Sequence, residues 1–185
     1  MKKLTILIDM DDTIENLKEV WVEAVNERYG YHTVADSLTD WDIALGFPGL
    51  PKETVYSIIL EPWLYDRLRP FPGAPEALQR LSDDGHELYI VTSTNFEIVP
   101  EKMRFLFKYF PCLDWGHVIL SHHKQMIRGD VLVDDGIHNL VDGAYHKILY
   151  SAAHNRLYDA EANGMVRVEN WEEAYAAIKA LAEAE

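Results

Sequence analysis

The chain has almost no cysteine and is short of positive charge. Cys112 is its single cysteine among 185 residues, which excludes an internal disulfide and fits a reducing compartment. No run approaches the roughly 20 apolar residues of a membrane span, and Met1-Lys2-Lys3 precedes only a short apolar stretch with no secretion-signal core. Lys and Arg total 17 against 31 Asp and Glu, a formal net charge of −14. A surface this negative disfavours nucleic-acid polymers and anionic membranes, whose binding relies on Lys and Arg meeting phosphates. A small anion in a local positive pocket stays open. There is no internal repeat and no low-complexity linker. What is present is a core-building fraction of 48% hydrophobic residues, enough for one domain or one domain carrying a small insertion. The composition reads as a cytoplasmic protein.

Short apolar runs at Leu4–Ile8, Glu87–Val91, Val118–Leu120, Val131–Val133 and Lys147–Tyr150 read as buried strands. Helical patterns lie between them. One runs from Gly73 with Pro75 in its first turn and stops near Gly85; another spans Pro100–Phe110; a third runs from Trp171 to Ala184. Strands alternating with helices predict an α/β fold with a Rossmann-like parallel sheet covered by helices on both faces. Ligands of such sheets bind at the carboxyl ends of the strands. The rhythm breaks between residues 15 and 70, where helix-like stretches (Leu17–Tyr29, Lys52–Leu60) and frequent aromatics replace strands. Residues 15–70 are therefore expected to form a small, mostly helical cap over a core made of residues 1–14 and 71–185.

Polar residues gather at the predicted strand ends. Leu4 to Ile8 closes on Asp9, Asp11 and Asp12, three acids within four positions. Like charges at that spacing repel, and burying a carboxylate costs desolvation energy, so a positive partner is expected there. Asp9 and Asp11 share one side of the extended segment and offer oxygens to a hard cation such as Mg²⁺. Thr92 and Ser93 follow the next strand, where hydroxyls ordinarily cap a helix. Val131-Leu132-Val133 closes on Asp134 and Asp135. Lys124 lies ten residues before Asp134, in the loop after Val118–Leu120; taken singly such a lysine reads as a solvated charge, and it gains meaning only in the ordered set. His117, His122, His123 and His138 raise a zinc reading, which the harder acidic neighbours oppose.

The ordered set Asp9-Met10-Asp11-Asp12-Thr13, then Thr92, Lys124 and Asp134-Asp135, resembles the four motifs of the haloacid dehalogenase-like phosphotransferases. Asp12 stands where those phosphatases often carry Gly. The stretches 65–74, 107–114 and 147–155 are similar to the 5′(3′)-deoxyribonucleotidase family. The resemblance implies a phosphoric monoester hydrolase of the 5′-nucleotidase type, acting on nucleoside monophosphates with Mg²⁺ as cofactor. Asp9 would attack phosphorus, and Asp11 would carry the proton to the departing oxygen, its crowded acidic surroundings helping it hold that proton. Lys124, Thr92 and Ser93 would bind the phosphate. Mg²⁺ would sit on Asp9, Asp134 and the backbone carbonyl of Asp11, with Asp135 orienting that shell rather than binding. Phe47, Trp63 and Tyr65, in Gly- and Pro-punctuated cap segments, would contact the nucleoside, whereas Trp21 and Tyr56 read as core. The expected partner is a small phosphomonoester, with neither nucleic-acid polymer nor membrane, and a homodimer stays open. Competing readings are a capped phosphatase for a sugar phosphate or phosphoglycolate, a phospho-acceptor receiver, and a silent nucleotide-binding module.

Overall fold

Thr5–Ile8 forms the first strand, β1, and its side chains alternate between two apolar layers. Ile6 and Ile8 pack into one buried cluster, Leu7 into another on the opposite face. The computed structural model describes residues 2–184. Five more strands follow: β2 (Glu87–Thr92), β3 (Val118–Leu120), β4 (Val131–Asp134), β5 (His146–Tyr150) and β6 (Met165–Val168). All pair in parallel, in the spatial order β3-β2-β1-β4-β5-β6. Strands β1, β2, β4 and β5 each carry a run of three or four apolar, mostly buried residues. That composition suits a parallel sheet covered on both faces.

The chain order reverses beside β1, whose neighbours are β2 and β4, with Ile6 opposite both Leu88 and Val131. This is the switch point at which parallel sheets open a crevice beyond their carboxyl ends. Asp9 lies just past β1, its N–H still donating to the Val133 carbonyl at 2.9 Å, and Asp134 closes β4. The first and fourth acidic motifs therefore face each other across one ladder.

After Asp9 the chain leaves the sheet until β2. That excursion contains α1 (Leu17–Tyr29), α2 (Lys52–Ser57) and α3 (Pro62–Tyr65), joined by short 3₁₀ turns, and among the described residues it holds no sheet strand. Glu15 bridges both Asp11 and Pro70, so the outgoing and returning chain run side by side. Val20, Trp21, Val55, Ile58 and Leu64 share one apolar cluster with Ile8 and Ile90 of the sheet. The remaining helices are α4 (Ala74–Asp83), α5 (Val99–Tyr109), α6 (Ile137–Leu140) and α7 (Trp171–Ala184). Gly73 opens α4 at φ +81°, a left-handed backbone that suits glycine. Trp171 of α7 is fully buried, and its indole N–H donates to the Thr13 carbonyl at 2.9 Å. The last helix is thus tied to the loop that carries the first motif. No helix among the described residues is long and apolar enough to cross a membrane.

Candidate active site

Three carboxylates meet at the switch point. Oxygens of Asp9, Asp134 and Asp135 all lie within 4.8 Å of one another, and all three residues are buried. Lys124 reaches them from the 3₁₀ turn Lys124–Met126: its Nζ donates to Asp9 Oδ1 and, at 2.7 Å, to Asp134 Oδ2. Burial alone would lower the Lys124 pKa, but the Asp9 and Asp134 charges outweigh it and hold the ammonium above its usual range. Asp134 is further fixed by the Gly136 N–H at 2.7 Å and the Asn139 side-chain amide at 3.0 Å. Asp135 keeps its carbonyl on the Asn155 amide at 2.9 Å, leaving its carboxylate toward the cluster.

One ammonium does not balance three buried acids. Burial pushes Asp9 up to about 7 and Asp135 well above the carboxylate range, each pushed further by its acidic neighbours. A donor set made only of carboxylate oxygens, crowded and short of positive charge, fits a hard divalent cation. Asp135 joins this cluster directly, where the sequence suggested that it only orients the shell.

The carboxylate of Asp11 is not part of that trio, though it lines the same cavity as Asp9. Its Oδ2 lies 2.5 Å from Nζ of Lys102, a buried lysine of α5 that the sequence reading missed. So the group that meets the Asp11 carboxylate is the Lys102 ammonium, not the acidic trio. Burial places the neighbouring Glu15 carboxyl well above its usual range, with Asp11 and Asp12 adding to the shift. Asp12 adopts φ +55° and its Oδ1 accepts from the Lys18 N–H at 2.9 Å, so it takes the left-handed turn open to glycine while anchoring the start of α1.

Of the two hydroxyls at the end of β2, Thr92 has no exposed surface, and its oxygen accepts from Lys102 Nζ at 3.1 Å. Thr92 therefore lies beneath the site, whereas Ser93 lines it and hydrogen-bonds His122 Nδ1. Above these groups lies a cavity of about 420 Å³, reached by Asp9, Asp11, Lys102, Lys124 and Ser93 from below. Its walls on the other side come from Trp21, Trp41, Ile43, Tyr56, Ile59 and Tyr65. Trp41 stands edge-on to His138 and His154, with both ring centroids 4.8 Å away. A larger cleft of about 740 Å³ lies on the far side of Asp12. Glu19, Glu23, Asp36 and Glu169 line it and outnumber its Lys18, which disfavours a phosphate there.

The aromatic residues expected to meet a nucleoside separate. Tyr65 lines the cavity, its hydroxyl donating to the Ile59 carbonyl at 2.9 Å. Phe47 has no exposed surface and packs edge-on against Tyr31, so it is core. Trp63 lies outside the cavity: its indole N–H donates to Glu61, and the Arg28 and Arg67 guanidinium groups lie 5.7 and 5.9 Å from its ring. Trp21 packs as the sequence suggested, against Tyr56 at 5.0 Å, yet both also form part of the cavity wall. Trp41 went unread because it sits in a turn between Asp40 and Asp42, where the pattern suggests a solvated loop.

The whole chain is similar to known proteins. The family described as 5′ nucleotidase, deoxy (pyrimidine), cytosolic type C protein matches residues 2–184. A 5′(3′)-deoxyribonucleotidase of Clostridium acetobutylicum is 31% identical over 181 residues, covering 98% of each chain. One from Bacillus subtilis is 34% identical over 175 residues, covering 94% of this chain and 96% of its own. A solved haloacid dehalogenase-like hydrolase of Streptococcus pneumoniae shares the fold at a TM-score of 0.69 and 13% identity, over 95% of this chain and 98% of its own.

Proposed function

The chain belongs to the deoxy (pyrimidine), cytosolic type C family of 5′ nucleotidases, and from that membership we propose that it hydrolyses deoxyribonucleoside monophosphates through a phosphorylated Asp9. The observation that carries this reading is the buried set of Asp9, Asp134, Asp135 and Lys124 beneath a cavity walled by aromatic rings. The base supports the phosphate chemistry, and the aromatic wall supports a nucleoside over a sugar phosphate. A cavity of about 420 Å³ falls within the range of small-molecule sites. The lone Cys112 favours a cytosolic setting.

Asp9 Oδ attacks phosphorus, and the bond from phosphorus to the nucleoside oxygen breaks. Asp11 gives its proton to that oxygen, and the nucleoside leaves. Water then loses a proton to Asp11 and attacks the same phosphorus, which releases inorganic phosphate and restores Asp9. Lys124 and Ser93 take up charge on the phosphate oxygens, and Thr92 supports the end of β2 under them. Asp9, Asp134 and Asp135 would hold Mg²⁺, with the Asp11 carbonyl as a further ligand that the family resemblance implies, and the ion would supply the charge that lets a carboxylate approach a phosphate dianion.

The test is a substrate panel. Deoxyribonucleoside 5′- and 3′-monophosphates, ribonucleotides, hexose phosphates and phosphoglycolate are compared with Mg²⁺ and after EDTA. The reading expects the highest kcat/KM on a deoxyribonucleotide and its loss in EDTA. A preference for phosphoglycolate or a hexose phosphate would assign the cavity to another substrate.

A further inference from the structure

Lys102 is 1% exposed, on a helix face it shares with the buried Met103, Phe105 and Leu106. Lysines are seldom buried this deeply, and a buried ion pair on its own is commonly no more stable than an apolar replacement. What distinguishes Lys102 is where its three contacts lie. Nζ meets Asp11 Oδ2 at 2.5 Å, Thr92 Oγ1 at 3.1 Å and the Ser93 carbonyl at 3.4 Å. These join the carboxylate after β1 to the strand end at which the phosphate is expected.

The two Asp11 oxygens are not equivalent. Oδ1 is buried without a hydrogen-bond partner, while the side chain as a whole keeps 27% exposure and lines the cavity. The oxygen available to a departing group is therefore Oδ2, the one that Lys102 touches. We propose that Lys102 is the positioning residue for proton transfer: it fixes the Asp11 carboxylate against the end of β2 with Oδ2 toward the leaving oxygen. This rests on the nucleotidase reading, with Asp11 as the proton carrier. In the first step the Oδ2 proton passes to the nucleoside oxygen as its bond to phosphorus breaks. The carboxylate left behind faces the Lys102 ammonium, which stabilises it until water returns a proton to Oδ2. Lys102 itself gives up no proton.

Leaving groups separate this role from a structural one. An alkoxide such as the nucleoside 5′-oxygen must be protonated as it departs, whereas p-nitrophenolate leaves without help. The value of kcat/KM reports only steps up to that departure. Lys102→Met, close in volume, should therefore lower kcat/KM for deoxyuridine monophosphate at least tenfold more than for p-nitrophenyl phosphate, and Lys102→Arg should recover part of the difference. Measuring both substrates on one preparation makes their ratio independent of the fraction folded. Asp11→Asn combined with Lys102→Met should discriminate no more than Asp11→Asn alone. Equal losses on the two substrates, or additive effects in the double variant, would overturn the assignment. Absence of nucleotide hydrolysis in the unmodified protein would instead remove the reading beneath it.

Discussion

Lys124 Nζ lies 2.7 Å from Asp134 Oδ2 and also donates to Asp9, so one ammonium links the expected nucleophile to the expected metal ligand. Lys124 is the ammonium that pairs with this buried trio, and His154 Nε2 lies 3.4 Å from Asp135 Oδ2 at its edge. Metal and phosphate together would relieve Lys124 of that pairing and let it face the substrate.

Lys124→Met should abolish hydrolysis and destabilise the metal-free protein. Removing one partner of a buried ion pair costs about 3–5 kcal/mol, because the carboxylates are left unbalanced. Added Mg²⁺ supplies the missing charge, so the variant should gain more thermal stability from Mg²⁺ than the unmodified protein does. Paired melting curves with and without the ion check this. An equal gain in both proteins would mean that Lys124 and the metal do not compete for the same acids.

Trp41 and Trp63 should separate cleanly. Stacking a base on an aromatic ring contributes about 1–3 kcal/mol, roughly 5- to 150-fold in affinity. Trp41 lines the cavity and Trp63 does not. Trp41→Ala should therefore reduce kcat/KM on deoxyribonucleotides within that range while sparing p-nitrophenyl phosphate. Trp63→Ala should leave both unchanged. A larger loss from Trp63→Ala would place the nucleoside elsewhere.

Trp171→Phe should loosen the first-motif loop. The buried indole holds the Thr13 carbonyl at 2.9 Å, and an acceptor left unpaired costs about 1–3 kcal/mol. Urea unfolding should show that loss at an unchanged m-value. A midpoint equal to that of the unmodified protein would show that another donor serves Thr13.

His86 should make stability fall in acid. Burial holds its imidazole below the usual 6.5, and Nδ1 accepts the Leu4 N–H at 3.2 Å, which needs the neutral ring. Below pH about 6.5 the unfolded chain takes up a proton that the folded one resists, so this contribution is complete above that pH and declines beneath it. Other groups titrate in the same range, so the measurement is a difference. The slope of Tm against pH between 5 and 7 should be steeper in the unmodified protein than in His86→Gln. Parallel slopes would remove His86 from the account.

The strand ends were legible because an apolar run that stops on carboxylates conflicts with burial unless something positive lies there, and Asp9 and Asp134 do meet Lys124. The sheet was legible from the same runs, except β6. Met165–Val168 exposes Val166 and carries Arg167, so it lacks a fully buried strand's continuous apolar signature. Lys102 was invisible for a different reason. On α5, between Glu101 and Arg104, it looks like one more solvated charge, and only the meeting with Asp11, 91 positions away, buries it. Among the cap aromatics Tyr65 does line the cavity, but Phe47 and Trp41 could not be told apart without a third dimension: both lie at irregular turns, yet Tyr31 covers the first and the cavity opens beside the second.

Phosphorylated Asp9 is the central claim, and the Asp11→Asn variant with p-nitrophenyl phosphate tests it most directly. That substrate needs no proton to depart, and the variant lacks the base that would activate water, so the covalent species should accumulate. The account predicts a burst of about one p-nitrophenolate per protein molecule, followed by near-arrest. Peptide mapping after acid quench should then find the phosphoryl group on Asp9. No burst and no label in a folded variant, or a label on any other residue, would contradict it.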